Sequence, residues 1–255
     1  MTNLSDRLKA LAECIDRAAE IALQARQQMK AELKPDGSIV TNADRAVEEF
    51  LRLELSAQWP GTSFWGEEFG RDAVSDKGHW LIDPIDGTSN FRFGSPLWGI
   101  SVGLAVGDRM ELGAVWLPVL GEFYLAERGK GAWMNGQPLS PIPPGPIEAH
   151  QLLSYCDSIV RRYSTQAIPG KMRCAGAFVI DGTFTAMQRY RGMIGGGEYL
   201  YDAAASILIN EELGAEIRWA DGKALDYAEL IAGKRFDRAW IIFPSGSGFH
   251  LSETV

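Results

Sequence analysis

Trp80-Leu81-Ile82-Asp83-Pro84-Ile85-Asp86-Gly87-Thr88-Ser89-Asn90-Phe91 is the stretch on which the reading of this chain turns. Its apolar lead-in, Trp80 to Ile82, reads as the end of a buried strand that delivers two carboxylates, three residues apart, into a bend. Pro84 lacks an N–H and biases Asp83 toward an extended conformation. Asp83 and Asp86 can then converge on one side, with the Ile85 carbonyl brought toward the same point. Gly87 permits a tight turn, and Thr88 stands where a helix can begin, with free backbone N–H groups facing an anion. Hard oxygen donors beside such a cradle suit magnesium and a phosphate ester. A plain Asp-Pro and Asp-Gly surface turn would have no need of the apolar flanks on both sides.

Working outward, Leu4, Leu8, Leu11, Ile15, Ala18, Ala22, Ala25 and Met29 recur at helical spacing and predict a helix over residues 4 to 31, ended by the turn Lys34-Pro35-Asp36-Gly37. Val47, Phe50, Leu51 and Leu55 mark a second helix, capped by Thr41 or Asn42, with Asp44 in its first turn. Thr62 to Gly66 reads as a short strand before Glu67 and Glu68. Alternation around Gly107-Asp108 predicts a hairpin, and Phe123 to Glu127 a further strand, so the first half forms a largely antiparallel sheet covered by the two N-terminal helices. Pro141-Ile142-Pro143-Pro144-Gly145-Pro146 is the strongest linker signal and divides the chain into subdomains 1–145 and 146–255. Beyond it, residues 152 to 155 and 171 to 174 read as strands and 176 to 188 as a helix. Residues 189 to 197 read as a basic, glycine-rich loop. Tyr201 to Leu213 is a helix with Asp202 at its start as a natural N-cap and Gly214 past its end, and Trp240 to Phe243 is a last strand.

Asp83-Pro84-Ile85-Asp86-Gly87-Thr88-Ser89-Asn90-Phe91 resembles the signature of the inositol monophosphatase family of metal-dependent phosphatases. Three further stretches follow in that family's order. Val40-Thr41-x-x-Asp44-x-x-Val47-Glu48 is similar to its first motif, in which the Asp bonds a threonine hydroxyl and the pair orients the attacking water, a role the resemblance gives to Asp44 and Thr88. Gly66-Glu67-Glu68 is similar to its Gly-Glu-Glu motif and makes Glu67 a metal ligand, with Glu68 in support. Tyr201-Asp202, opening an alanine-rich helix, is similar to its Trp-Asp pair, with Tyr in place of Trp. The implied magnesium shell, for two or three ions, is Glu67, Asp83, the Ile85 carbonyl, Asp86 and Asp202. Asp86, Asp202 and the backbone N–H groups of Gly87 and Thr88 then hold the substrate while water attacks the phosphorus directly. The resemblance further implies an α/β (α+β) fold, a layered α/β/α/β/α sandwich of the sugar-phosphatase type, with lithium sensitivity and a homodimer. The glutamate that inositol-selective members place seven residues before the Asp of the Trp-Asp pair is Gly195 here. Glu198 is out of register, and Phe178 stands where a small residue lines the pocket. An inositol monophosphate-like ester, histidinol phosphate, a sugar phosphate or a 3'-phosphorylated nucleotide remain alternatives, as does a partner-binding regulatory protein on the same fold. Arg189, Arg191 and Lys171 are candidates for a second phosphate.

A formal charge of -8 argues against a general nucleic-acid or anionic-membrane surface, and divalent ions would reverse its sign at an acidic site. Residues 1 to 30 carry no signal-peptide core and no apolar run is long enough to span a bilayer, so the expected compartment is the cytoplasm. Cys14, Cys156 and Cys174 lack metal or redox spacing and read as small buried hydrophobes. His79 is expected to be structural, because the carboxylates already satisfy a hard cation. His150 and His250 receive no role.

Overall fold

The computed structural model describes residues 4–35 and 37–251, so Asp36 of the expected turn and the last four residues of the second subdomain lie outside the described residues. Helix α1 (Asp6–Ala25) is followed by a short 3-10 turn and by strands β1 (Ala31–Leu33) and β2 (Ile39–Thr41), then by α2 (Asn42–Gln58). Strands β3 (Ser63–Gly66), β4 (Gly70–Arg71) and β5 (His79–Asp86) lead to the short helix α3 (Thr88–Phe93). They are succeeded by β6 (Gly99–Val106), β7 (Arg109–Leu117), β8 (Glu122–Glu127), β9 (Gly131–Met134) and β10 (Gln137–Pro138). The second half runs β11 (Leu152–Tyr155), α4 (Asp157–Arg162), β12 (Lys171–Arg173), α5 (Phe178–Ala186), β13 (Gly192–Gly195), α6 (Leu200–Glu212), β14 (Ala215–Trp219), α7 (Tyr227–Ile231) and β15 (Trp240–Pro244).

One sheet has eight strands in the order β10-β9-β8-β7-β6-β5-β3-β4, and another has five in the order β12-β11-β13-β15-β14. The first sheet is antiparallel except where β3 runs parallel to β5. Helices α1 and α2 pack on one of its faces, burying Leu8, Leu11, Ile15, Val47, Leu51 and Leu55, each worth roughly 1.5–3 kcal/mol when removed from water. Helices α5 and α6 pack on the other face and also touch the second sheet, whose far side buries Ile159 and Tyr163 from α4 and the segment that follows it. The layers therefore alternate α/β/α/β/α, as expected.

Several local expectations needed correction. The first helix stops at Ala25, and the chain that periodicity extended to residue 31 closes instead as the β1–β2 hairpin, with Lys34 N donating to Ser38 O at 2.8 Å. The basic, glycine-rich segment is no loop at its centre: Gly192–Gly195 is the middle strand of the second sheet. Its glycines fit because β15 presses aromatic rings against them. A Cβ on Gly192 would lie 2.4 Å from the Phe243 ring, and one on Gly195 2.6 Å from the Trp240 indole nitrogen. The proline-rich linker falls between β10 and β11 but is strapped down: Ile142 is buried, and the N–H groups of Ile142 and Gly145 donate to Leu213 O and Ser245 O.

Candidate active site

A bulge at the end of β5 sets the geometry. Asp83 pairs with Ser101 and Asp86 with Gly99, so three steps along β5 match two along β6. In a regular strand, residues three apart face opposite sides. The extra residue resets the alternation and puts both carboxylates on one face. Asp83 is buried, and Ile85 N donates to its Oδ1 at 3.1 Å. Gly87 follows with φ of +83°, and a Cβ there would meet that of Ala177 at 2.8 Å, so the turn needs glycine on both counts. Thr88 opens α3, with its Oγ1 within donating distance of Asp44 Oδ1 at 3.2 Å and of Ile85 O at 3.0 Å.

Asp44 and Asp202 are delivered by the same device. Each is the third residue of its helix and folds back to accept the N–H of the capping residue, Thr41 N at 2.8 Å for Asp44 and Tyr199 N at 2.7 Å for Asp202. Asp202 is thus not the N-cap that sequence reasoning expected; Tyr199 occupies that position. Asp44 also accepts the Thr41 hydroxyl on Oδ2, which leaves Oδ1 for Thr88. Asp86 has a second task, accepting the Val179 and Phe178 N–H groups at the start of α5, whose own N-cap Ala177 has no side chain to do so.

Glu67 follows β3 in a turn held from below by Glu48, which is fully buried and accepts from Glu68 N at 2.7 Å, Phe69 N at 3.2 Å and Arg52 Nε at 2.9 Å. A Cβ on Gly66 would come within 2.0 Å of Glu48 Oε1, so the glycine makes room for this support. From the hairpin, Lys34 Nζ donates to Glu67 Oε1 at 2.9 Å and Glu68 Oε1 at 2.7 Å. Neither Glu48 nor Lys34 received a role from the sequence. Glu48 stood within a quoted motif, whereas nothing in the local pattern around Lys34 pointed to the acids.

Electrostatics tie the group together. Burial first, then the charges of Glu67, Asp86, Asp202 and Asp44, push the Asp83 carboxyl well above the usual carboxylate range. Burial, Glu67 and Asp86 do the same for Asp202; burial raises Asp86 to about 8 and Glu68 to about 7. Asp44 is raised by burial against the opposing pull of its Thr41 hydrogen bonds. As placed, no three acidic, imidazole or thiol groups among the described residues close on a common point near enough to hold an ion. The donor set nevertheless fits a hard divalent cation. All its donors are oxygens, Asp83 is fully buried with one backbone hydrogen bond as its described support, and four other carboxylates press on it.

Beside these acids lies a cavity of about 430 Å3 whose wall includes Asp86, Asp202, Phe178, Asp181, Glu198 and Arg235. Cys156 and Cys174 also line it, and Cys174 is exposed, so only Cys14 is the buried hydrophobe expected. Arg189 is not available for a second phosphate, because Glu122 holds its guanidinium at 2.7 and 2.8 Å. His79 is buried, with its Nδ1 2.6 Å from Ser63 Oγ, in keeping with a structural role.

Comparison with known proteins finds relatives in sequence and in fold. The chain is 41% identical over 134 residues to a histidinol-phosphatase of Chlorobaculum parvum, an alignment spanning 52% of each chain. It is 31% identical over 221 residues to an inositol-1-monophosphatase of Mesorhizobium japonicum, spanning 81% of this chain and 82% of that one. The crystal structure of an IMPase/NADP phosphatase complexed with Mg2+ and phosphate shares the fold, with a TM-score of 0.79 at 22% identity over 92% of this chain and 88% of the other. The sequence model of the inositol monophosphatase family matches residues 3–238, and with these likenesses the chain belongs to the inositol monophosphatase family of phosphoric monoester hydrolases.

Proposed function

We propose that this protein is a magnesium-dependent phosphatase that hydrolyses a small phosphate monoester by direct attack of water. The observation that carries the reading is Asp83: a buried carboxyl, on the same sheet face as Asp86 and pressed by four other acids, two of which, Asp86 and Asp202, line a cavity sized for a small ester. Glu67, Asp83, the Ile85 carbonyl, Asp86 and Asp202 would hold the cations, two or three of them, since five clustered carboxylates call for that much positive charge. When bound, divalent cations polarise the phosphoryl oxygens, steady the leaving oxygen and make water a better nucleophile.

The chain's own residues supply the proton path. With Oδ2 of Asp44 taken by Thr41, its Oδ1 accepts the Thr88 proton, which turns a lone pair of Thr88 Oγ1 toward the attacking water. The water loses its proton to Thr88 Oγ1 as its oxygen bonds the phosphorus and the ester P–O bond breaks; the Thr88 proton passes to Asp44, and the departing oxygen takes a proton from solvent water to leave as the alcohol. The N–H groups of Gly87 and Thr88 hold the phosphate, and the cavity takes the alcohol. A homodimer in the cytoplasm is part of the same reading, supported by family membership and by three thiols outside any disulfide. Among the described residues no helix is long and apolar enough to cross a membrane.

The test is phosphate release from a panel of monoesters by purified protein, with Mg2+ and with chelator. Turnover that needs Mg2+ is expected. A folded protein with no turnover on any ester, or equal turnover in chelator, would overturn the reading.

A further inference from the structure

The cavity beside the ligand acids carries two carboxylates that phosphate chemistry does not use. Asp181, in the first turn of α5, shows part of its surface to the cavity, yet its carboxyl lies deep, and its Oδ1 is closed to solvent and accepts no hydrogen bond among the described residues. The Ser154 hydroxyl is the side-chain hydrogen-bond partner of the carboxyl. Glu198 is fixed on the same wall by Gly196 N at 3.0 Å and Trp240 Nε1 at 3.1 Å. Its Oε2 comes within 3.2 Å of where a Cβ on Gly195 would stand. Arg235, the one cationic side chain among the described residues lining the cavity, donates to Gly197 O and lies 5.2 Å from the Tyr199 ring centroid. It makes no ion pair with either acid. Phe178, stacked on Trp240 at 5.5 Å, adds an apolar wall.

A deep carboxylate with an unmet acceptor and like-charged neighbours is costly unless a ligand brings N–H donors and positive charge. A neutral polyol meets the first need and not the second. We infer that Asp181, supported by Glu198, selects esters whose alcohol carries a protonated amine: an amino-alcohol phosphate, with its phosphate at the ligand acids and its ammonium at Asp181. Burial, and the Glu198 charge, raise the Asp181 carboxyl to about 7, which an ammonium alongside would reverse. This assignment rests on the phosphatase reading of the same site.

The test compares histidinol phosphate with its deamino analogue in the presence of Mg2+. The amine ester should be preferred by roughly 30-fold in kcat/KM, chiefly through KM, as expected for a hydrogen bond between charged groups. Asp181→Asn should cut that ratio about tenfold, because the amide keeps hydrogen bonding and loses the charge. A ratio near one in the unaltered protein, or a proportional loss on both esters in the variant, would overturn the assignment. Should Asp181→Asn fail to fold, Glu198→Gln and a ligand measurement on the unaltered protein decide. Free histidinol should slow alkylation of Cys174, which lines the cavity, and the deamino alcohol should not. Protection by histidinol without turnover of any ester would sink the phosphatase reading and keep the amine site. Turnover without preference or protection would do the reverse.

Discussion

At the scale of single residues, His79 opens β5 and Asp83 stands further along it, just before the bulge, and the two are buried with opposite consequences. Asp83 is surrounded by like charges, so Asp83→Asn should leave the protein folded, with an unchanged or raised Tm, while turnover falls on the order of 10^3-fold. Activity within a factor of about three of the original would remove Asp83 from the site. His79 is kept neutral. Burial, reinforced by Arg71, lowers its pKa from the ordinary 6.5 to about 4, so between those values the unfolded chain binds the proton and the folded one does not. Stability should therefore drop as pH falls from 6.5 toward 4, with His79 accounting for about 1–2 kcal/mol. Melting curves of His79→Gln should show a shallower loss across that window; an identical slope would assign the effect to other groups.

Among the elements, the β1–β2 hairpin has the clearest consequence, because it carries Lys34 onto Glu67 and Glu68. A divalent ion that takes Glu67 must compete with that ammonium. Lys34→Met should thus lower the Mg2+ concentration for half-maximal activity by roughly three- to tenfold, the scale of one partly buried ion pair. A higher Mg2+ requirement would mean instead that Lys34 positions Glu67 for the ion. The hairpin also marks where local pattern runs out. Alternation and caps made α2, the β6–β7 hairpin, β5 and α6 legible, since each element's signal lies within its own residues. The loss of α1 beyond Ala25 is not written in the periodicity of Ala22, Ala25 and Met29, because pairing with β2 decides it. Gly192–Gly195 is a strand only because β15 brings Trp240 and Phe243 against it, a tertiary fact that a glycine run cannot announce. Turn chemistry and resemblance pointed to the acids of the candidate site; nothing local pointed to the Glu48 carboxylate under Gly66 or the Lys34 contact, since both join segments distant in sequence.

For the whole molecule, the question is what keeps Asp202, on the central helix layer, in range of acids that belong to the first sheet. The proposed subdomains 1–145 and 146–255 share one core, in which Leu81, Ala105 and Val115 cluster with Ala204, Ile207 and Leu208. Helix α6 lies so close to the sheet that a Cβ on Gly103 would stand 2.8 Å from the Ala204 Cβ, and one on Gly113 3.1 Å from the Ala205 Cα. Small residues on both sides of this contact set the height of α6, and Asp202 sits two residues before the first of those alanines. Gly103→Val should therefore push α6 outward, costing on the order of 1–3 kcal/mol by overpacking. Asp202 would move with it, so the Mg2+ requirement should rise severalfold, because ion ligands tolerate little displacement. The variant's melting temperature and its Mg2+ titration are read together: a lower Tm with an unaltered Mg2+ requirement would show that the helix height does not reach Asp202. A lower Tm together with a higher Mg2+ requirement would tie the packing of two glycines and two alanines to the assembly of the site.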